Sequence, residues 1–201
     1  MPDSTPRWDT FWWSWLIWTA GFLAFPIAGV AGRTVAGRVD SPTAALIAGL
    51  VTGAVIGAGQ WLVSRRRLRP VPWIVATALG MGLGLLLGAT AVGFQTSLAD
   101  LVAMGALTGV VLGVAQTLAL PAQTRRRWWW AVAMPLLWAV GWTITTLAGI
   151  PVEDQFTIFG ASGAITFSAV SGLLLYRLLP VRPISSPAET ASVDARVASK
   201  R

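Results

Sequence analysis

The sequence predicts an all-α, polytopic membrane protein in which six transmembrane helices form three pseudo-repeated hairpins around an axis along the membrane normal. Three observations support this prediction. The 201-residue chain is 55% hydrophobic and only 11% charged, and its charges are confined to the regions between six long apolar windows. A segment of one window recurs in another, and basic residues cluster in alternate connections. Soluble domains, by contrast, carry about 25% charged residues.

The six windows account for the elements in order. Each is close to the ~20 residues that a helix needs to cross ~30 Å of hydrocarbon. A signal peptide is the alternative for the first window, but Asp3 and Asp9 outnumber the single basic residue before it, Arg7, and the apolar run is longer than a typical signal. The helices make one transmembrane domain over residues 1–180, followed by a predicted disordered cytoplasmic tail over 181–201. Their predicted bounds are about 11–31, 43–63, 71–94, 99–120, 128–150 and 158–179.

Residue types that would support catalysis are missing from the apolar windows. The chain has no Cys and no His, which excludes disulfides, thiol chemistry and His-ligated metals. Ser162, Ser168 and Ser171 lack a base within the windows that would activate a hydroxyl, and no charged relay crosses the windows. The acidic residues of the outer connections are interpreted as ordinary loop charges, with a cation site as the less favoured alternative. We therefore expect no enzyme, no metal and no cofactor.

Basic residues predict the orientation, because Lys and Arg are enriched in cytoplasmic connections. All but two of the 15 basic residues lie before the first helix, in the 64–70 and 121–127 connections, or at and beyond the end of the last helix; Arg33 and Arg38 are the exceptions. Both termini are therefore predicted to be cytoplasmic, and the formal charge of +7 needs no nucleic acid to explain it. An Arg-rich, Lys-poor composition is typical of GC-rich bacteria, which predicts the bacterial inner membrane. Anionic lipid headgroups are the expected partners of Arg65, Arg66, Arg67, Arg125, Arg126 and Arg127.

Tryptophans concentrate at the same boundary. Indole rings favour the headgroup level, where the N–H group reaches water. An interfacial belt is therefore the favoured interpretation, and a ligand site built on stacked indoles is the alternative. The belt residues are Trp8, Trp12, Trp13, Trp15, Trp61, Trp73, Trp128, Trp129 and Trp130.

Two of the windows contain near-copies of one segment. Residues 49–62, GLVTGAVIGAGQWL, recur as residues 105–118, GALTGVVLGVAQTL, with seven of 14 positions identical. The sequence therefore predicts three parallel two-helix repeats, permuted so that the first and last helices complete the third. The last helix continues the pattern in weaker form, and its corresponding residues are Gly160, Ala164, Ser168 and Ser171.

The repeated glycines are spaced four residues apart, which places them on one face of a helix. Small residues allow two backbones to approach within a membrane, where burial from water cannot hold helices together. We therefore predict that the second, fourth and sixth helices pack as an inner trio, while the bulkier first, third and fifth helices face lipid. Pro26 and Pro135 are expected to kink the first and fifth helices. The predicted packing residues are Gly49, Gly53, Gly57, Gly105, Gly109, Gly113, Gly160, Ala164 and Ser168.

A polar side chain follows each glycine stripe at the cytoplasmic end. Gln60, Gln116 and Ser171 occupy this position, and an unpaired amide in hydrocarbon is costly. The favoured interpretation is an interhelical hydrogen-bond layer. The alternative is a polar cavity that opens to the cytoplasm with Arg66 and Arg177 at its mouth, which would suit an anionic lipid headgroup or a small anion.

The order of Gly-xxx-Gly-xxx-Gly-xx-Gln-Trp-Leu, three consecutive arginines from Arg65 and a Trp at the next helix start resembles a group of uncharacterised bacterial multi-pass membrane proteins. That group carries GxxxGxxQW repeats separated by arginine-rich turns. The likeness covers residues 44–144 well and 158–180 poorly, and it departs at Thr117, where the Trp is missing, and at Ser171, where the Gln is missing. The resemblance implies a membrane fold and no particular activity.

The sequence thus predicts a non-catalytic integral membrane protein that acts as a scaffold, an assembly factor or a lipid-associated subunit, with a protein partner in the membrane as one form of that role. The alternative is a membrane transport or solute-binding component for a small or anionic ligand. Six helices in a chain of 201 residues also suit the substrate-binding subunits of vitamin uptake systems, which keeps this alternative open.

Overall fold

The computed structural model of the chain describes residues 7–65, 67–152 and 158–179, with side chains from residue 11 onward. Within these ranges the chain is helical and contains no strand. The predicted disordered tail, Arg66, and the acidic pair Glu153 and Asp154 lie outside the described residues. The helices are α1 (Arg7–Ala20), α2 (Ala24–Ala36), α3 (Pro42–Val63), α4 (Pro70–Ala91), α5 (Leu98–Ala119), α6 (Trp128–Leu147) and α7 (Ala161–Leu178), and a 3-10 turn over Gly21–Leu23 joins α1 to α2.

Six helical stretches are long and apolar enough to cross a membrane. The first, Phe11–Ala36, combines most of α1 with the 3-10 turn and α2, and α3 to α7 supply one each. The predicted fold class, all-α and polytopic with six helices of transmembrane length, is confirmed.

The first span is longer than predicted and is interrupted. It extends to Ala36, and Pro26 lies just after the 3-10 turn. Proline has no N–H group, and its ring clashes with the carbonyl four residues earlier, here that of Phe22, so the α-helical bonding pattern breaks there. Gly37 ends α2 with φ 72°, and its N–H donates to the Arg33 carbonyl oxygen at 2.8 Å, a C-terminal cap that glycine adopts without strain.

Serine caps fix the starts of α3 and α5. Ser41 Oγ accepts from the Ala44 N–H at 3.3 Å, with Pro42 at the first helical position. Ser97 Oγ accepts from the Asp100 N–H at 3.3 Å and donates to Asp100 Oδ2 at 2.5 Å. The Asp100 carboxylate also lies in the first turn of α5, where it complements the helix dipole. Asp100 therefore has a structural role at a helix start.

The spans form a closed ring in chain order. Each span packs against its neighbours in the chain, and α7 closes the ring against α1. Over the described residues, no Cα atom of α3, α5 or α7 lies within 8 Å of a Cα atom of another helix of this set. The predicted inner trio is therefore wrong. The predicted separation into two layers is wrong as well, because α4, which was assigned to the outer layer, packs between α3 and α5 and is buried to a similar extent, 44% against 39%.

The glycine face of α3 packs against α4 instead. A Cβ atom built on Gly53 would lie 2.5 Å from the Thr77 carbonyl oxygen and 2.8 Å from Ala78 Cα, and one built on Gly49 would lie 2.6 Å from the Met81 carbonyl oxygen. The two backbones therefore touch where side chains are missing. The turn between α3 and α4 is short, which makes these two helices antiparallel neighbours.

The second copy of the glycine stripe makes corresponding contacts, now from α5 to α6. A Cβ atom on Gly109 would lie 2.6 Å from Pro135 Cα and 2.7 Å from the Met134 carbonyl oxygen. One on Gly113 would lie 3.0 Å from the Ala131 carbonyl oxygen. The remaining stripe glycines follow the same rule, since Gly57 meets Ile74 of α4 and Gly105 meets Trp142 of α6.

The third stripe meets two neighbours. At the start of α7, Gly163 contacts the Gly141 carbonyl oxygen of α6, and a Cβ atom on Gly160 would lie 2.7 Å from Ile150 Cδ1. Near the end of α7, a Cβ atom on Gly172 would lie 2.7 Å from Trp18 Cδ1 of α1. Ala164 and Ser168, the predicted packing residues between these glycines, are both buried.

Candidate functional site

A buried polar layer crosses the ring near the ends of α3 and α5. Gln60 of α3 is 4% exposed, and its Oε1 atom accepts a hydrogen bond from Trp73 Nε1 of α4 at 3.1 Å. The two residues lie on either side of the same turn, so the bond closes the α3–α4 hairpin. Trp73 is fully buried.

Gln116 of α5 is the centre of this layer. Its Oε1 atom accepts from Trp130 Nε1 of α6 at 2.9 Å. Its Nε2 atom donates to Thr77 Oγ1 at 3.0 Å and to Gln60 Oε1 at 3.3 Å. The amide oxygen thus joins α5 to α6, and the amide nitrogen joins α5 to α4 and α3. The indole rings of Trp73 and Trp130 pack edge to face, with centroids 5.9 Å apart.

A third contact of this kind, or third corner of the ring, joins α7 to α1, with a serine hydroxyl in place of the glutamine amide. Trp18 Nε1 of α1 donates to Ser171 Oγ of α7 at 3.1 Å, and Ser171 Oγ donates to the Ser168 carbonyl oxygen at 3.3 Å. Trp73 and Trp130 each follow an arginine by four residues, and the tryptophan in the corresponding place here would be Trp12, five residues after Arg7. Trp12 is instead 51% exposed, while Trp18 is 2% exposed. The indole that meets the third polar residue therefore lies six residues further along the chain.

We call Gln60, Gln116, Thr77, Trp73 and Trp130 the amide layer. Its four bonds between side chains all join different helices, while Thr77 Oγ1 also donates to the Trp73 carbonyl oxygen within α4. Each interhelical bond stabilises a membrane protein by about 0.6 kcal/mol on average and up to about 1.7 kcal/mol. Of the two interpretations that the sequence left open, this geometry is the interhelical hydrogen-bond layer. The Gln116 amide and the Gln60 carbonyl oxygen are bonded to indole, hydroxyl and amide partners within the protein.

The indoles of the amide layer also change the predicted interfacial belt. Trp73 and Trp130 were assigned to it, but both are 0% exposed and donate inside the ring. Four other belt residues are 51–64% exposed, which fits the headgroup position: Trp12, Trp13, Trp128 and Trp129.

A separate cavity of about 640 Å³ opens beside the 120–127 turn. Two arginines of the turn, Arg125 and Arg126, and Arg177 from the last turn of α7 all line this space, and all three are exposed. Arg177 therefore lines this cavity rather than a mouth of the amide layer. We call the space the arginine cavity, and its lining residues are Gln123, Arg125, Arg126, Trp129, Leu174, Arg177 and Leu178.

The observed side-chain contacts between α6 and α7 lie away from the arginine cavity, and they include the rings of Trp138 and Phe167, whose centroids are 6.1 Å apart. At the far end, Thr145 Oγ1 of α6 accepts from the Gly160 N–H at 3.0 Å, and Gly163 touches the Gly141 carbonyl oxygen. At the near end, open space lies between the two helices. It is lined by Leu174 and Leu178 of α7 and by Trp129 of α6.

The charge around the arginine cavity is positive and uncompensated within the described part of the chain. None of its three guanidinium groups has a carboxylate within 4.0 Å there. The carboxylates whose positions are described, on Asp40 and Asp100, lie in the connections before α3 and at the start of α5, at the other end of the ring. The N-terminal turn of α6, which has no side-chain cap, begins beside the cavity and adds the positive end of its dipole.

The other basic turn uses its arginine differently. Arg67 Nε donates to the Ser64 carbonyl oxygen at 3.0 Å, and its Nη1 donates to the Leu179 carbonyl oxygen just beyond α7 at 3.3 Å. Burial, with repulsion from Arg65, lowers the pKa of the Arg67 guanidinium below its ordinary value, and Tyr176 acts in the opposite direction. Arg67 therefore ties the 64–69 turn to α7 and is committed to backbone partners.

Several residues of the amide layer and of the arginine cavity could not be recognised as site residues from the sequence. Thr77 was one of many hydroxyls on the apolar helices, and Trp18 was one of several tryptophans in the first window. Leu174 and Leu178 were ordinary apolar positions. The one pattern that could have found the donors is the spacing from glutamine to the next helix: Gln60 precedes Trp73 by 13 residues, and Gln116 precedes Trp130 by 14.

Metal chemistry has no support in the described part of the chain, where no group of three or more Asp or Glu side chains could hold an ion. No protein-family model, curated protein or solved structure matches the chain.

Proposed function

We propose that the chain is a non-catalytic integral membrane protein that acts as a scaffold, an assembly factor or a lipid-associated subunit in the bacterial cytoplasmic membrane. The observation that carries this proposal is the amide layer. Its polar groups bond to one another across α3, α4, α5 and α6, so they brace the ring. A route for ions or protons would instead need polar groups aimed at an open path.

The composition of the interior supports the same proposal. The buried polar side chains are Thr, Ser and Gln, and none of them titrates near neutral pH. Intramembrane charges mark ion and proton pathways, and the buried side chains described here include none. Threonines such as Thr143, Thr145 and Thr146 donate to carbonyl oxygens one turn earlier in their own helix, which leaves them with a structural role.

Orientation is part of the proposal, with both termini and the two basic turns in the cytoplasm. The chain contains no Cys, so single cysteines can report it. Gln95→Cys places a thiol in the connection between α4 and α5, and Ala122→Cys places one in the 120–127 turn; both positions are exposed. A membrane-impermeant maleimide should label Gln95→Cys in intact cells and Ala122→Cys only after lysis, and the reverse pattern would overturn the orientation.

The role itself is tested by what leaves the membrane with the chain. A tagged full-length protein extracted in a lipid-retaining polymer should carry a protein partner or a defined lipid in constant stoichiometry. Isolation of the chain without either, from the membranes in which it is naturally expressed, would contradict the scaffold or lipid-associated role. A tagged Gln95→Leu chain, which changes an exposed residue away from the amide layer, is purified in parallel as a control and should carry the same partner or lipid.

A second candidate function is a transport or solute-binding component for an anionic ligand. The arginine cavity favours it, because ligand pockets commonly enclose about 300–1,000 Å³ and this one is lined by three guanidinium groups. Such a protein should gain thermal stability with one compound from a panel of small anions. If no compound raises the thermal stability and a partner co-purifies in constant stoichiometry, only the first proposal remains.

A further inference from the structure

We propose that the arginine cavity binds the phosphate group of a phospholipid headgroup. This inference deepens the lipid-associated role and rests on that proposed function only for the side of the membrane that the site faces. The steps are the charge of the cavity, its shape, and the contrast with the other basic turn.

The charge of the cavity calls for an anion. Arg125 and Arg126 come from one segment and Arg177 from another, yet all three line one space with no described carboxylate within salt-bridge distance. Like charges held together repel, and an anion between them removes that repulsion. Guanidinium groups bind phosphate oxygens through paired N–H donors, which gives geometric preference as well as charge.

The shape of the cavity calls for a ligand with an apolar part. Leu174, Arg177 and Leu178 lie on one face of α7, since residues three and four apart in a helix are neighbours. Trp129, 59% exposed, forms the facing wall. A free phosphate ion would contact the arginines and leave these apolar walls wet, whereas a headgroup with its glycerol and first acyl carbons would cover them. The cavity lies at the end of the spans, where headgroups are found.

The contrast with the 64–69 turn shows that basic residues alone do not make this site. Arg67 donates to two backbone carbonyl oxygens. Arg69 is exposed, as are Arg125, Arg126 and Arg177, but it is not among the residues that line the arginine cavity. Both turns attract an anionic membrane surface in the same diffuse way. In the described part of the two turns, Arg125 and Arg126 differ from Arg67 and Arg69 because they share a cavity with a third arginine and with apolar walls.

The test measures lipid binding to the full-length chain in detergent by native mass spectrometry and by thermal shift. Added phosphatidylglycerol should give a saturable single-site complex that added phosphatidylcholine does not. Arg125→Gln and Arg177→Gln should each weaken this binding by about tenfold or more, because each removes a charge-assisted contact to phosphate. Arg69→Gln, which removes the same charge from outside the cavity, should leave the affinity within about twofold of the parent chain.

Inorganic phosphate at millimolar concentration distinguishes the two sources of the same chemistry. Weak competition with phosphatidylglycerol supports a lipid headgroup, while tight binding of phosphate alone, lost in Arg177→Gln, would overturn the lipid assignment in favour of a free anion. Equal loss in Arg177→Gln and Arg69→Gln would overturn the site itself and leave only diffuse attraction. Either failure leaves partner co-purification and cysteine labelling unchanged, so the proposed function is judged separately.

Discussion

Replacing Gln116 with Leu is the sharpest test of how the ring is held together. The substitution keeps the approximate size of the side chain and removes one acceptor and one donor group. Three side-chain bonds are lost: those to Trp130 Nε1 at 2.9 Å, Thr77 Oγ1 at 3.0 Å and Gln60 Oε1 at 3.3 Å. These bonds connect α5 to three other helices, so no single hairpin absorbs the change.

The expected loss of stability follows from the bonds and from the partner left behind. Three interhelical bonds at about 0.6 kcal/mol each amount to about 2 kcal/mol. Trp130 is 0% exposed, so its N–H group has no water to replace the amide, and a buried orphan donor costs about 1–3 kcal/mol. Because the two terms overlap, the unfolding free energy should fall by about 2–4 kcal/mol, although leucine is the more apolar residue.

The assay is reversible unfolding of the purified chain in dodecyl maltoside with increasing SDS, followed by circular dichroism. Gln95→Leu is the matched control, since Gln95 is exposed and surface changes usually stay within about 0.5 kcal/mol. Adding Trp130→Phe to Gln116→Leu removes both partners of the strongest bond and should recover part of the loss. If Gln116→Leu is as stable as the parent chain, the amide layer does not brace the ring and the reasoning fails.

Three further changes probe other contacts. Gly53→Ala should destabilise the chain by about 1–3 kcal/mol, because the new Cβ atom meets the α4 backbone. Gly29→Ala should cost less, because its Cβ atom meets a single side-chain methyl, Ile158 Cγ2, at 3.1 Å; equal effects in this assay would contradict the close approach. Trp18→Phe should cost about 1 kcal/mol by the loss of its interhelical bond, and an unchanged unfolding curve would remove that corner from the account. Arg67→Gln should speed hydrogen exchange at the end of α7, to which the side chain is bonded, whereas Arg69→Gln should not; protection that is equal in both would show that Arg67 does not tie the turn to α7.

The six helices were predictable because the membrane makes a strong demand on the sequence. A span needs ~20 apolar residues, and no other feature of the chain competes with that signal. The end of the first span was not predictable in the same way. Arg33 suggested an earlier end, but it lies in the last turn of α2, where a cation favours the helix C-terminus and its long side chain can reach out of the hydrocarbon.

The partner of each glycine stripe was not predictable from one chain. A stripe such as Gly49, Gly53 and Gly57 predicts that a backbone approaches that face, and it says nothing about which backbone. Three similar stripes favoured a symmetric trio in the sequence analysis. In the structure, the short connections decide the outcome, because they place consecutive helices side by side and each stripe then faces a helix that is already adjacent.

Tryptophans near a basic turn have the same sequence pattern whether they face lipid or the interior. Trp129 and Trp130 are consecutive, yet one is 59% exposed and the other is 0% exposed. Successive helical residues are rotated by 100°, so one indole of the pair turns outward and one inward. The helix phase could have been set by Gln116 on the preceding helix, since a buried amide needs a donor nearby and Trp130 is the indole placed to supply it.

The helix with the weakest match to the glycine segment, α7, also lines the arginine cavity. At the first two corners, a long amide reaches an indole on the next helix and draws the basic end of the hairpin together. At the third corner the amide is replaced by Ser171, whose short side chain reaches Trp18 of α1 and bonds nothing on α6. Gln116 also bonds Thr77 of the preceding helix α4, and Ser171 has no counterpart of that bond. No side-chain hydrogen bond therefore joins the basic ends of α6 and α7 in the described part of the chain, and the space between them is lined by arginines.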